Sequence, residues 1–202
     1  MKSVLLPTAY LPPINYFSLL LKSETIFIEQ QEHFVKQTYR NRCEILSSNG
    51  VLSLSIPLQK NADKEIISEK RISYAENWQI NHWRTITSAY KNSAYFEYFE
   101  DEFKPFYFEK HEFLLEYNSK LTELILHILR QKKEIKFTSE YSKEFSGIDL
   151  RETLNAKQEI SNIYPKYFQV FGDKLGFTPN LSVIDLLFNK GLETVDYLTV
   201  KI

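Results

Sequence analysis

Apolar residues fall into short unbroken runs at the start of the chain, alternate with polar ones in the next third, and then recur at spacings of three and four. Residues 3–6 form an apolar run closed by Pro7, as in a central strand. A loop over 7–13 follows. Asn15 is then placed to cap a helix whose apolar positions Tyr16, Phe17, Leu19, Leu20 and Leu21 precede a polar stop at Lys22 and Ser23. Residues 25–28 read as a second strand. Strand, loop, helix and strand in this order predict a βαβ unit with parallel strands, and the loop after the first strand is where α/β folds usually place a ligand.

Two further strands, 43–48 and 51–58, are joined at Asn49-Gly50, a pair that tolerates positive φ and signals a hairpin. Leu52, Leu54 and Ile56 are expected to share one face. Another strand is expected over 66–74, although Lys70 and Arg71 interrupt its pattern. Over 77–90 the period becomes helical, with Trp78, His82, Ile86 and Ala89 on one face and Trp83 and Tyr90 flanking it. Residues 93–113, dense in aromatics and acids, predict short helices broken near Pro105. The clearest helix spans 112–130, with acid at its start and Arg130, Lys132 and Lys133 at its end complementing the dipole. A strand at 135–138 follows, then a polar, weakly helical and flexible stretch over 140–158. An edge strand is expected at 167–171. A last helix is bounded by Ser182 and Gly191, with Asp185 at capping-box spacing. These elements predict an α/β fold: a mixed β-sheet with an N-terminal βαβ unit, an Asn-Gly hairpin and covering helices, in one domain over 1–202 with a helical lobe at about 77–133.

Composition narrows the function classes. A formal net charge of -1 and a pI near 6.5 give no global basic field, which argues against nucleic acid as a partner. The single cysteine rules out an internal disulfide framework and suits a reducing compartment. The opening apolar run is broken by Pro7, Pro12 and Pro13, unlike an export signal, and no later run approaches the roughly 18 residues of a membrane span. A cytoplasmic location is expected. The five glycines form neither GxGxxG nor a P-loop, and the four histidines make no local metal pair, so no metal ligands are assigned and no cofactor is identified.

The densest set of hydrogen-bond donors lies within 33–46, where Lys36, Gln37, Tyr39, Arg40, Asn41, Arg42 and Cys43 fall between two strands. Long cationic side chains in this position suit an anionic ligand; the alternative is a solvated basic loop. Cys43 is a candidate nucleophile if the neighbouring arginines lower its pKa, or else a small hydrophobe at a strand start. His82 is a candidate acid or base, or else a core histidine on an apolar stripe.

The blocks LPTAYLPPINYF, TIFIEQQEHFVKQTYRNRCEIL, LSLSIPL, INHWRTITSAYKNSAYFEYF and FTPNLSVIDLLFNKG together resemble the WbqC-like family in order and spacing along nearly the whole chain. That family occurs in bacterial surface-polysaccharide (O-antigen) gene clusters, and transfer of an amino acid such as glycine to a sugar has been proposed for it. The matching positions are Pro7, Tyr10, Pro12, Tyr16, Phe17, Lys36, Asn41, Arg42, His82, Trp83, Tyr90 and Asp185, while Asn15 stands where many relatives carry glycine. The resemblance implies an acyl or aminoacyl transferase acting on a sugar or nucleotide-sugar. Lys36, Arg40 and Arg42 are then expected to hold phosphate or carboxylate, Tyr10, Tyr39 and Trp83 to form stacking walls, and His82 to take the proton. The expected partner is a small anionic molecule: a sugar phosphate, a nucleotide-sugar or an acyl donor. The opening is also similar in layout to nucleotidyltransferases with an HxGH motif, though neither histidine is present. A non-catalytic binding or scaffold protein and a nucleotide binder are the alternatives. The transferase reading expects Tyr10, Lys36, Asn41, Arg42 and His82 to line one pocket, with their functional groups within roughly 12 Å.

Overall fold

A computed structural model describes residues 3–60, 65–152 and 164–201. Ser3–Pro7 (β1) runs through the core and is followed by Ile14–Lys22 (α1) and Thr25–Glu29 (β2). The two strands pair in parallel, from Ser3 opposite Thr25 to Pro7 opposite Glu29, so the βαβ unit forms as its apolar pattern predicts. The cap of α1 is not Asn15 but Pro13, whose fixed φ of -67° suits the entry to a helix. The amides of the first turn are satisfied from elsewhere. Ile14 N donates to the Leu181 carbonyl at 3.0 Å, Asn15 N to Asn180 Oδ1 at 2.8 Å, Tyr16 N to Asn15 Oδ1 at 2.7 Å and Phe17 N to the Pro13 carbonyl at 3.2 Å.

Arg42–Ser47 (β3) and Gly50–Ser55 (β4) form the antiparallel hairpin. Its turn residues are Ser48 and Asn49, and the positive φ belongs to Gly50 (112°) alone. Leu54 and Ile56 face inward, whereas Leu52 near the tip is 39% exposed. Trp78–Tyr90 (α2) packs on β3 through the stripe Trp78, His82, Ile86 and Ala89. Phe96–Phe103 (α3) gives way to a 3₁₀ turn at Lys104–Tyr107, where Pro105 sits at the start, and Leu114–Ile128 (α4) follows.

Ile135–Phe137 (β5) pairs in parallel with β2, and Ile148–Asp149 (β6) with β1, giving a four-stranded parallel sheet in the order β5-β2-β1-β6. Parallel and antiparallel pairs thus coexist, in two separate sheets. The chain closes with Gly172–Leu175 (α5), Val183–Lys190 (α6) and helical turns over 191–201 that pack on α1. One hydrophobic cluster links β1 and α1 to the hairpin, α2, α4 and α6.

Three further expectations change. Residues 66–74 make a 3₁₀ turn at Ile67–Glu69 with isolated bridges instead of a strand, because Lys70 turns inward to donate to the Gln59 carbonyl (2.9 Å) and to Glu65 Oε2 (2.8 Å). Residues 167–171 form no edge strand. There the Gln169 carboxamide does the pairing itself, donating to the Thr178 carbonyl at 2.8 Å and accepting from Thr178 N at 2.9 Å. The stretch 140–158 contains the two-residue β6, which Gly147 makes possible. A Cβ there would lie 2.6 Å from Ser3 Oγ and 2.7 Å from the Ser3 carbonyl. The rest of that expected weak helix, 153–158, lies outside the described residues. Among the described residues no helix is long and apolar enough to cross a membrane.

Candidate functional site

The loops after β1 and β2 do meet, as Tyr10 N donates to the Tyr39 carbonyl at 2.9 Å. What they assemble around His82 is core. His82 is 6% exposed, and its Nδ1 lies 3.0 Å from the wholly buried Tyr10 hydroxyl, which lies 3.1 Å from that of Tyr107. The Ser55 carbonyl favours the charged form of the ring, but burial outweighs it and lowers the histidine pKa to about 4, so the imidazole is neutral at pH 7. Its ring is enclosed in the core, hydrogen-bonded to Tyr10. Tyr10, stacked on both His82 and Tyr117, belongs to the same dry network.

Cys43 faces inward from β3 with no exposure, and burial pushes its thiol well above the usual range, opposite to what a nucleophile requires. Iodoacetamide is therefore expected to leave Cys43 unmodified in the folded protein and to alkylate it fully in denaturant. Quantitative labelling under native conditions would restore the nucleophile role.

The remaining predicted residues scatter. Lys36 is exposed on the loop. Asn41 donates to the Ile56 carbonyl at 2.8 Å, which locks the hairpin base. Arg42, on the opposite face of β3 from Cys43, has its Nε buried without a hydrogen-bond partner among the described residues. Tyr16 donates to the Pro7 carbonyl at 3.0 Å, and Tyr39 is buried beside Glu44. Trp83 stacks on Tyr107. Asp185 is not a capping carboxylate: it turns inward to accept from Tyr90 (3.0 Å), Tyr167 (2.6 Å) and Gln169 Nε2 (3.0 Å), while Ser182 caps α6. Among the described residues these groups are not gathered around one cavity: Tyr10 and His82 are buried in the core, Lys36 is exposed on its loop, Asn41 is spent on the hairpin base, and Arg42 leaves β3 on the face opposite Cys43.

Arg40 leads to a cleft at the carboxyl ends of the parallel strands, while Tyr16 borders a smaller cavity of about 100 Å³ beside α4. The strand order reverses direction between β1 and β6, and the carboxyl ends of the strands around that point carry Glu29, Asp149 and, just beyond, Arg151. Arg40 grips Glu32 in a two-pronged pair, Nε to Oε1 at 2.7 Å and Nη2 to Oε2 at 2.6 Å, and donates to the Arg151 carbonyl at 3.0 Å. Arg151 reaches Glu29 Oε2 at 3.1 Å and Asp149 Oδ2 at 2.6 Å. Glu29 also accepts from the Thr138 hydroxyl (2.7 Å) and from Gln31 N (2.8 Å). Above this floor opens a cleft of about 790 Å³ whose walls include Gln31, His33, Tyr141, Lys143 and Glu152.

Burial raises the Glu32 carboxyl despite Arg40. Burial also acts upward on Asp149, but the hydrogen bonds from Arg151 outweigh it and hold that carboxyl below its ordinary value. Three carboxylates, Glu32, Asp149 and Glu152, line the cleft with Arg40, Arg151, Lys143 and one histidine, and Glu29 backs Arg151, so the cleft carries no excess of fixed positive charge. At the start of α1, where nucleotide-binding α/β folds seat a phosphate, every amide of 14–17 already has its acceptor. The layout shared with HxGH nucleotidyltransferases therefore lacks their phosphate cradle. Among the described residues, no group of three His, Cys, Asp or Glu side chains is disposed to hold a metal ion.

Glu29, Glu32, Asp149 and Arg151 are not among the residues that the sequence pattern singles out. The available signal was an acid closing the second strand of a βαβ unit, at the sheet edge where ligands bind. The profile of the WbqC-like protein family matches residues 8–163. An uncharacterized protein of Mycobacterium tuberculosis is 27% identical, with 98% of this chain and 97% of the relative covered. No solved structure matches the chain.

Proposed function

The chain belongs to the WbqC-like protein family, and on that premise we propose that it is an acyl or aminoacyl transferase acting on a sugar or nucleotide-sugar of surface-polysaccharide synthesis. The observation that carries this reading is the cleft at the switch point of the parallel sheet, floored by buried Glu32, Arg40 and Arg151, with Glu29 holding Arg151 from behind. Paired guanidinium and carboxylate groups present fixed donors beside fixed acceptors, which suits hydroxyl-rich substrates. His33, exposed on the cleft wall, is the imidazole in reach of a bound substrate and takes the role expected of His82. In the transfer, a sugar hydroxyl or amine attacks the acyl carbonyl carbon and its proton passes to His33. The new C–O or C–N bond forms as the bond to the donor breaks, and His33 returns the proton to the departing group.

Thermal denaturation with a panel of nucleotide-sugars, free sugars and acyl thioesters tests this. A true ligand at 100 times its Kd adds about 2.7 kcal/mol. Acylated sugar, identified by mass, is expected from a pair that shifts the Tm, and His33→Ala is expected to lower turnover by roughly 100-fold while keeping the shift. Binding without any product would make the chain a non-catalytic sugar-binding protein. Unchanged turnover in His33→Ala would remove the assigned base.

A further inference from the structure

Two residues of the cleft are more exposed than their type suggests, Val35 at 48% and Tyr141 at 51%, and of these Tyr141 carries an aromatic ring. One face of its ring lies over the Arg151 guanidinium, 5.0 Å from the ring centroid. The same guanidinium donates to the carbonyls of Ser142 (2.7 Å) and Lys143 (3.4 Å), so the loop bearing Tyr141 is fastened to the cleft floor. Arg151 is itself held by Glu29 and Asp149, and the Ser142 hydroxyl closes the loop by donating to the Glu144 carbonyl at 2.8 Å. An aromatic ring thus stands open to solvent, yet it is fixed by a chain of contacts that ends in a carboxylate of β2.

We infer that Tyr141 is a stacking platform and that the cleft takes an uncharged sugar ring laid against it. This rests on the transferase reading for the sugar class but not for its geometry. The C–H face of a sugar ring carries slight positive charge and meets the negative face of an aromatic ring, while its hydroxyls project sideways to donors and acceptors. Both are present here, the second as Glu32, Asp149, Gln31 and Lys143 along the same cleft. A platform held before binding loses little freedom on binding, which favours affinity from few contacts. No buried guanidinium of the cleft is left to seat a phosphate. The two buried guanidinium groups are neutralised by carboxylates, and the α1 amides are occupied. A cleft of about 790 Å³ holds a sugar together with the group attached to it.

The test uses ligand-observed NMR on the full chain, with a panel of neutral methyl glycosides against glucose 1-phosphate and UMP. At least one methyl glycoside is expected to bind, with an affinity that changes less than about 2-fold between low and high salt. Tyr141→Phe, which keeps the ring, should stay within about 2-fold, and Tyr141→Ala should weaken binding by roughly 10-fold or more, as loss of a stacking face does. Unfolding of both variants in urea controls for the packing of Arg151. The inference is overturned if no glycoside binds, if a correctly folded Tyr141→Ala binds as well as the parent, or if only the charged probes bind and salt displaces them. Glycoside binding that depends on Tyr141 without any acyl transfer would sink the transferase reading and leave the platform standing. Product formation at the parental rate by Tyr141→Ala would do the reverse.

Discussion

Arg151→Met is expected to destabilise the protein by about 3–5 kcal/mol, the range for removing one member of a buried ion pair. The side chain makes hydrogen bonds to Glu29, to both oxygens of Asp149 and to the carbonyls of Ser142 and Lys143. Asp149 is partly exposed and water can replace its partner. Glu29 cannot be reached in that way, since its side chain is 1% exposed and would keep only the Thr138 hydroxyl and Gln31 N as donors. The loss should therefore be traceable to Glu29. Glu29→Gln in the Arg151→Met background is expected to recover more than half of it, because the amide removes the uncompensated charge while its oxygen still accepts from Thr138. Urea unfolding of the two single variants and the double variant closes the cycle. If the double variant is no more stable than Arg151→Met alone, the pair is not the source of the effect, and the loop contacts to Ser142 and Lys143 are.

Why this pair escapes a reading of the chain, while the strands that carry it do not, is a matter of range. β1, α1, β2 and the hairpin are each specified by the pattern of their own residues and by the punctuation of Pro7 and Gly50, so they are legible. Arg40 is eight positions from Glu32, and Arg151 is 122 from Glu29. No local period reports such a pairing. The stretch 33–46 resembles an anion site because its cations are clustered, whereas Glu32, which neutralises Arg40, stands just outside it, and Glu29 and Asp149, which neutralise Arg151, close strands. Tertiary contact likewise fills the start of α1, through Asn180 and Leu181. His82 is the opposite case. Its place on the stripe with Trp78, Ile86 and Ala89 already carries the core reading, and Tyr10 supplies the hydrogen bond that a buried imidazole needs. β6 is two residues long, too short for any alternation to show.

The largest pH-linked effect is expected at Asp185. This carboxyl is wholly enclosed, and its hydrogen-bond donors are neutral: the Tyr90 and Tyr167 hydroxyls and the Gln169 amide. Burial raises its pKa from 3.8 to about 6, against the lowering by those three hydrogen bonds. A folded pKa above the unfolded one means that the folded state holds the proton more tightly. The stability contributed is then complete only well below the unfolded pKa of 3.8 and is lost as the pH climbs through about 6. A rise of that size corresponds to about 3 kcal/mol. Asp185→Asn cannot titrate, and it keeps much of the geometry. Its Oδ1 can accept from Tyr167 and Gln169, while its amide faces the Tyr90 hydroxyl, which rotates to accept. The stability of the parent minus that of the variant is therefore expected to fall by about 2 kcal/mol from pH 4 to pH 7, most of the full effect. Glu32 and Glu44 move in the same direction, but they are present in both proteins and cancel in the difference. Urea titrations of both proteins at the two pH values give the answer. A difference that stays constant with pH would mean that Asp185 is ionised as readily inside the fold as outside it, and that its three donors fully offset the burial.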